Sequence, residues 1–213
     1  MEAIEDIRKE YRMSSLLEQD VADDPIQQFN RWWQDAVNSK IEEPNAMTLS
    51  TCNPEGKPSS RIVLLKGIER NGFLFFTNYD SRKGSEMKTN KFVSLVFFWK
   101  EIERQVRIEG EAEKISEEAS NAYFNKRPRE SRIGAWSSPQ STVIQNRAVL
   151  EKNVAGYERK FSDENIPRPE NWGGYLVNPN VMEFWQGRPG RLHDRIKYFF
   201  DNEKNWKTVR LAP

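Results

Sequence analysis

The chain has 213 residues, net charge +1, one Cys and one His; 37% of it is apolar and 12% aromatic. That length supports one domain with a sizeable core. The near-zero charge excludes a global pull on nucleic acid and, with ample Leu, Ile, Val and Phe, argues against disorder. The apolar share is low, so part of the buried surface is expected to come from a partner chain or a bound aromatic ligand. The longest uninterrupted apolar run, Leu95–Trp99, is far short of the roughly 20 residues of a membrane helix. The charged N-terminus is unlike a signal peptide. A lone Cys52 fits a reducing, cytoplasmic setting, and one His with one Cys argues against a zinc site. No metal is expected.

The first 20 residues read as a short charged helix and a polar segment. Asp24-Pro25 caps and starts a helix whose Phe29, Trp32, Trp33, Ala36 and Val37 recur at helical spacing to about Asn38. Strands follow at Ala46–Cys52 and Ser59–Ile68, joined by the turn Asn53-Pro54-Glu55-Gly56. Asn71-Gly72 marks a hairpin into Phe73–Thr77. Ser81 caps a short helix to Lys88. Phe92–Lys100 and Gln105–Lys114 form a strand pair. Ser116 caps a helix to about Lys126, ended by Pro128. A longer helix is expected over Thr142–Phe161, then strands at Gly174–Val177, Val181–Gln186, Asp194–Phe200 and Lys207–Leu211. Many strands with short turns and inserted helices indicate a mostly antiparallel β-barrel of the α+β class, not a doubly wound sheet.

Four segments can carry chemistry. Ser60-Arg61-Ile62-Val63-Leu64-Leu65-Lys66 brackets branched aliphatics with two cations, suited to a flat ring and an anion. Strict alternation puts Arg61 and Lys66 on opposite faces, so one ligand uses both only if the strand bends. Thr77-Asn78-Tyr79-Asp80-Ser81-Arg82-Lys83-Gly84 gathers hydroxyls, two cations and a helix N-terminus, a setting for phosphate. Tyr123 and Arg127 share a helix face, with Ser131 beyond the break. In Arg191-Leu192-His193-Asp194-Arg195, an extended chain would put Arg191, His193 and Arg195 on one face around an anion. Each segment also has a plain structural reading: solvated strand ends, a capped surface helix, an Arg at a helix C-terminus, a surface His. Concentrated cations in a balanced chain suit small phosphorylated ligands better than a nucleic-acid backbone.

Taken together these motifs closely resemble the pyridoxine/pyridoxamine 5′-phosphate oxidase family. The resemblance runs from Arg8-Lys-Glu-Tyr11 through Arg61-Ile-Val-Leu-Leu-Lys66, Ser81-Arg82-Lys83-Gly84, Arg104-Gln105-Val106-Arg107, Arg127-Pro128 and Ile133-Gly134-Ala135-Trp136-Ser137. Gln140-Ser141, Phe184-Trp185-Gln186-Gly187, Arg191-Leu192-His193-Asp194-Arg195 and Arg210-Leu211-Ala212-Pro213 complete it. Arg-Leu-His-Asp-Arg after Phe-Trp-Gln-Gly is its most specific part.

The resemblance implies an FMN-binding split β-barrel over residues 21–213, behind a mobile lid at 1–20. It implies a homodimer with FMN at the interface. It also implies oxidation of pyridoxamine 5′-phosphate and pyridoxine 5′-phosphate to pyridoxal 5′-phosphate by O2, releasing H2O2 and, from the amine, ammonia. The FMN phosphate would be held by Arg61, Arg82 and Lys83 with Ser141. The flavin ring would meet Ile62, Val63, Leu64, Leu65, Phe76 and Thr77, with Lys66, Gln105, Gln140, Trp185 and Arg195 completing the cofactor site. Lys66, Tyr123, Arg127 and Ser131 would hold the substrate phosphate, Arg191 and His193 would lie over the pyridine as catalytic groups, and Arg8 and Tyr11 would belong to the lid. Glu130 and Arg132 depart from the family pattern beside Ser131. A non-catalytic FMN-binding protein on the same barrel is the alternative; it would have no use for the second, substrate-directed set.

Overall fold

A computed structural model describes residues 4–6, 9–162 and 165–213. The expected caps form. Helix α1 (Pro25–Asn38) starts with Pro25, and Asp24 Oδ1 accepts from the backbone N–H groups of Ile26 and Gln27 at 2.8 and 2.9 Å. Strands β1 (Ala46–Cys52), β2 (Pro58–Leu64), β3 (Gly67–Glu69) and β4 (Gly72–Asn78) follow. Ser81 Oγ accepts from Gly84 N–H and caps α2 (Arg82–Thr89). After β5 (Phe92–Trp99) and β6 (Arg104–Lys114), Ser116 caps α3 (Glu117–Asn125) through Ala119 N–H. Then come α4 (Arg129–Ser137), α5 (Arg147–Lys160), β7 (Trp172–Gln186), β8 (Asp194–Phe200) and β9 (Trp206–Arg210). The strands hydrogen-bond in the order β2-β1-β5-β6-β7-β4-β3, with β8 on β7 and β9 on β8. The β3–β4, β4–β7, β7–β8 and β8–β9 pairs are antiparallel, as the α+β, antiparallel reading requires.

Five expectations need correction. The strands expected at Gly174–Val177 and Val181–Gln186 run on as the single strand β7 (Trp172–Gln186). The strand expected over Ser59–Ile68 is two, β2 and β3, broken at Leu65-Lys66, where Lys66 N–H bonds Leu74 O at 2.8 Å. The hairpin turn sits one residue early. Glu69 pairs with Gly72, so Arg70 and Asn71 are its central residues, both with positive φ (46° and 62°), as a twist-matched two-residue turn requires. The helix expected over Thr142–Phe161 starts only at Arg147. Helix α4 was not anticipated: its polar start after Pro128 has no side-chain cap and reads as loop, and the helix is held by burying Ile133 and Ser137.

The chain divides into two compact units. The first comprises Met1–Leu49, Ser94–Gly110 and Pro179–Pro213. Its core is aromatic. Phe29 of α1 meets Phe97 edge-on at 5.1 Å, Trp32 meets Phe184 at 5.2 Å, and Phe184 meets Tyr198 at 5.5 Å. The buried Tyr198 hydroxyl donates to Ala22 O at 2.6 Å, satisfying its one polar atom. The second unit comprises Ser50–Val93 and Glu111–Asn178. Here Phe124, Ile133, Phe161, Ile166 and Trp172 form a buried cluster beneath α3, α4 and α5.

Candidate functional site

A cavity of about 720 Å³ opens in the second unit, a size that suits a small-molecule ligand. Among the described residues five cations line it, Arg61, Lys66, Lys83, Lys126 and Arg127, and no acidic side chain does. The break between β2 and β3 solves the alternation problem: Arg61 and Lys66 both reach this one cavity. Ile62, Val63 and Leu64 of β2 and Phe76 and Thr77 of β4 also line it.

Two cationic groups can be distinguished. In one, Lys83 Nζ donates to Thr77 Oγ1 and Gln140 Oε1, each at 3.0 Å, and to Ser81 Oγ at 3.3 Å. Burial, reinforced by the Arg61 charge, pushes the Lys83 ammonium down to about 8. Arg61 donates from Nη1 to Thr51 Oγ1 at 2.6 Å and from Nη2 to Ser59 Oγ at 2.5 Å. A half-buried ammonium beside a second cation would be favoured by a bound anion.

The second group is Tyr123, Arg127 and Ser131. Tyr123 stacks on Phe76 at 3.8 Å, and Phe76 on Trp172 at 5.4 Å, all nearly parallel. The Arg127 guanidinium lies over Trp172 at 4.5 Å, and among the described residues its buried Nη1 has no hydrogen-bond partner. A buried guanidinium N–H beside a cavity can take an anionic acceptor. Burial raises the Tyr123 phenol pKa, keeping it a neutral donor.

Six residues expected at the cofactor do not line this cavity: Leu65, Arg82, Gln105, Ser141, Trp185 and Arg195. Arg82 is exposed and turns its Nε to Glu86 Oε1 at 2.9 Å, an i,i+4 pair outside the cavity lining. Ser141 is exposed, with φ 70°, and Leu65 is buried; neither lines the cavity.

In the first unit, Lys9, Glu10, Tyr11, Arg188, Gly190, Arg191 and His193 line a second cavity of about 730 Å³. Trp185 flanks His193 at 4.6 Å and Tyr11 at 5.6 Å. The expected extended run from Arg191 is not formed. Pro189–Arg191 is a 3-10 turn, Arg191 has φ 63°, and β8 begins at Asp194. Arg195 is instead held by Glu183 through Nε (2.8 Å) and Nη2 (3.1 Å). His193 Nδ1 accepts the Arg188 backbone N–H at 3.1 Å, so the neutral ring carries its proton on Nε2. Burial first, then the Arg191 charge, lowers its pKa and favours that neutral form. Gln105 sits half-buried on β6. Arg8 lies outside the described residues.

Sequence reasoning missed Glu86, Glu103, Lys126 and Trp172. Glu86 had a signal, its i,i+4 spacing from Arg82. Trp172 had none, because its place beside Arg127 depends on the β4–β7 register.

Residues 33–160 match the family profile described as pyridoxamine 5′-phosphate oxidase, and residues 172–213 match the pyridoxine 5′-phosphate oxidase C-terminal dimerisation region. The chain belongs to the pyridoxamine 5′-phosphate oxidase family. It is 53% identical over 213 residues to the pyridoxine/pyridoxamine 5′-phosphate oxidase of Cupriavidus pinatubonensis, covering all of both chains. It is 54% identical to the oxidase of the same description from Thermosynechococcus vestitus, again over the full length of both. The crystal structure of PhzG from Burkholderia lata, in complex with tetrahydrophenazine-1-carboxylic acid, superposes with TM-score 0.88 at 30% identity, covering 94% of this chain and 99% of that one. An FMN-binding protein from Nostoc punctiforme, related to pyridoxamine 5′-phosphate oxidase, shares the fold with TM-score 0.70 at 18% identity, covering 87% of this chain and 97% of that one. The split-barrel reading of the sequence and the family resemblance both stand.

Proposed function

We propose that this chain oxidises pyridoxamine 5′-phosphate and pyridoxine 5′-phosphate to pyridoxal 5′-phosphate with FMN and O2, releasing H2O2 and, from the amine, ammonia. The observation that supports this reading is a cavity lined, among the described residues, by five cations and no acid, enough positive charge to receive two phosphates. The residues present fit FMN: a depressed Lys83 beside Arg61 calls for an anion, and Ile62–Leu64 with Phe76 offer an apolar wall to a flat ring. When bound there, FMN would supply the two-electron redox chemistry that couples oxidation at the substrate's C4′ to reduction of O2.

The chain's own residues bind and orient. Arg61 and Lys83, with Thr77 and Gln140, hold the flavin phosphate. Tyr123, Arg127 and Ser131, with Lys66, hold the substrate phosphate and so fix the distance between its ring and the flavin. Arg191 and His193 lie over the pyridine. Arg191 stabilises charge beside C4′. His193, neutral with its proton on Nε2, offers that N–H as a donor to the substrate. Tyr11, edge-on against Trp185 at 5.6 Å, belongs to an N-terminal lid that excludes water from the bound substrate.

The family's dimerisation region spans β7 to the C-terminus, which makes the working unit a homodimer. In that dimer Gln105, Trp185 and Arg195 complete the flavin site at the interface, beside Arg191 and His193 over the substrate. Among the described residues no helix is long and apolar enough to cross a membrane. A cytoplasmic location suits the single half-buried Cys52.

The test is direct. The purified protein should be yellow and should form pyridoxal 5′-phosphate and H2O2 in equal amounts from either substrate. A yellow but inert protein would sink this reading in favour of a flavin-binding protein without activity. Arg191→Ala should keep FMN and slow turnover; loss of flavin with normal flavin-replete turnover would remove Arg191 from its role.

A further inference from the structure

Glu86 is a buried carboxylate that none of the roles above uses. It stands on α2 one turn after Arg82 and is 5% exposed. Its Oε2 accepts hydrogen bonds from the Thr51 hydroxyl and from Ser59 Oγ at 2.7 Å, and lies 3.5 Å from Arg61 Nη2. Its Oε1 accepts from Arg82 Nε at 2.9 Å. Burial alone would raise its pKa, but the bonds from Thr51, Ser59 and Arg82 outweigh that and hold it at about 2. The group is therefore an anion at any working pH.

The same two hydroxyls that bond Glu86 also receive Arg61, so carboxylate, hydroxyls and guanidinium form one closed network. Arg61 lines the cavity and Glu86 does not. We propose that Glu86 is a positioning residue for the flavin phosphate: with the Thr51 and Ser59 hydroxyls it fixes the Arg61 guanidinium in its binding pose. This rests on reading the Arg61–Lys83 group as the FMN phosphate site.

The test compares FMN with riboflavin, which has the same ring and no phosphate. Flavin-free protein prepared from the holoenzyme is titrated with each, following flavin fluorescence. Wild type should prefer FMN strongly. Glu86→Gln should lower FMN affinity about tenfold or more while leaving riboflavin affinity within about twofold, because only the charge-assisted phosphate contacts change. Glu86→Asp should recover part of the loss. Ser59→Ala, a milder cut in the same network, should lower FMN affinity in the same direction by a smaller factor, and it keeps the test alive should Glu86→Gln misfold. The inference is overturned if these variants keep the wild-type FMN-to-riboflavin ratio, or if both flavins weaken equally, as a purely structural role requires. A wild type that binds riboflavin as tightly as FMN would instead remove the cradle reading itself, and this inference with it.

Discussion

Arg127 rests on the face of Trp172, its guanidinium carbon 4.5 Å from the ring centroid, with Nη1 buried and, among the described residues, lacking a hydrogen-bond partner. The indole fixes the guanidinium plane through a cation–π contact and leaves the N–H fork for a ligand. Burial lowers the Arg127 pKa, a cost that an anion offsets. Arg127→Lys keeps the charge but loses the fork and the stacking. We expect KM for pyridoxine 5′-phosphate to rise roughly tenfold to a hundredfold, with FMN content unchanged, from the loss of about 1.5–3 kcal/mol of charge-assisted hydrogen bonding. Steady-state kinetics with flavin-replete protein decide it; an unchanged KM would take Arg127 out of the phosphate site.

Lys83 predicts how flavin binding depends on pH. In the flavin-free protein its ammonium titrates at about 8, lowered first by burial and then by Arg61. Its bonded partners, Thr77, Ser81 and Gln140, are neutral, so nothing they carry restores the charge. A bound phosphate would restore it. Binding above about pH 8 must then take up a proton, and by linkage FMN affinity falls as pH rises past that point. Lys83→Arg stays charged throughout and should flatten the profile between pH about 7 and 9. FMN titrations across that range check the sign; a wild-type affinity that is flat or rises through pH 8 would contradict it.

The parts of this fold that were legible in the sequence are those with local causes. Asp24 with Pro25, Ser81 and Ser116 announce helix starts because a capping side chain bonds an N–H two or three residues away. The strands Ala46–Cys52 and Asp194–Phe200 stand where the pattern put them. The clusters at Arg61, Lys83 and Arg127 were legible as cation groups, and the family motifs supplied their assignment. What was not legible depends on tertiary context. Alternation was a poor guide at Arg61 and Lys66, since the chain breaks strand at Leu65, and at Arg191 and Arg195, since a 3-10 turn intervenes. Arg195 bears the same charge as Arg191, yet its partner is Glu183, set by the β7–β8 register in which Trp185 pairs with Arg195. The role of Glu86 requires knowing that β1, β2 and α2 bring Thr51, Ser59 and Glu86 together.

Gly84 is a packing requirement of the α2 N-terminus. A Cβ there would stand 2.1 Å from Tyr79 O and 2.6 Å from its carbonyl carbon, both backbone atoms that cannot swing aside. Gly84→Ala therefore forces the turn at Tyr79 or the first turn of α2 to move, and Lys83 moves with it. A backbone clash of this kind belongs with overpacking, about 1–3 kcal/mol or more. The melting temperature should drop by roughly 2–12 °C for a domain of this size. FMN retention on dialysis should fall in parallel. Thermal melts of the flavin-free protein separate the two effects, and an unchanged melting temperature would show that the turn accommodates the methyl.

Glu103 predicts what holds the N-terminal segment down. It is 3% exposed and has φ 56°, in the left-handed region. Its Oε2 accepts the backbone N–H groups of Arg12 and Met13 at 2.8 and 3.0 Å, and Lys9 Nζ lies 3.6 Å from Oε1. Its own carbonyl takes Gly187 N–H at 2.8 Å. Tyr11 packs over Gly187 so closely that a Cβ there would stand 2.7 Å from the Tyr11 Cβ. One side chain thus fixes the backbone on the C-terminal side of Tyr11, while Leu16 N–H to Asp194 Oδ2 at 3.0 Å is a separate anchor farther along. Glu103→Ala removes the first anchor and leaves the second. Two lost bonds to a carboxylate amount to about 2–3 kcal/mol, which raises the opened fraction of residues 9–13 roughly 30-fold or more. Trypsin cleavage after Lys9 and Arg12 should accelerate by a similar factor when cleavage is slower than reclosing. If the segment serves as the lid, KM for substrate should rise while FMN affinity holds, because Tyr11 loses its fixed place beside Trp185 and His193. Faster cleavage with an unchanged KM would separate the anchor from the lid; unchanged cleavage would deny that Glu103 holds the segment at all.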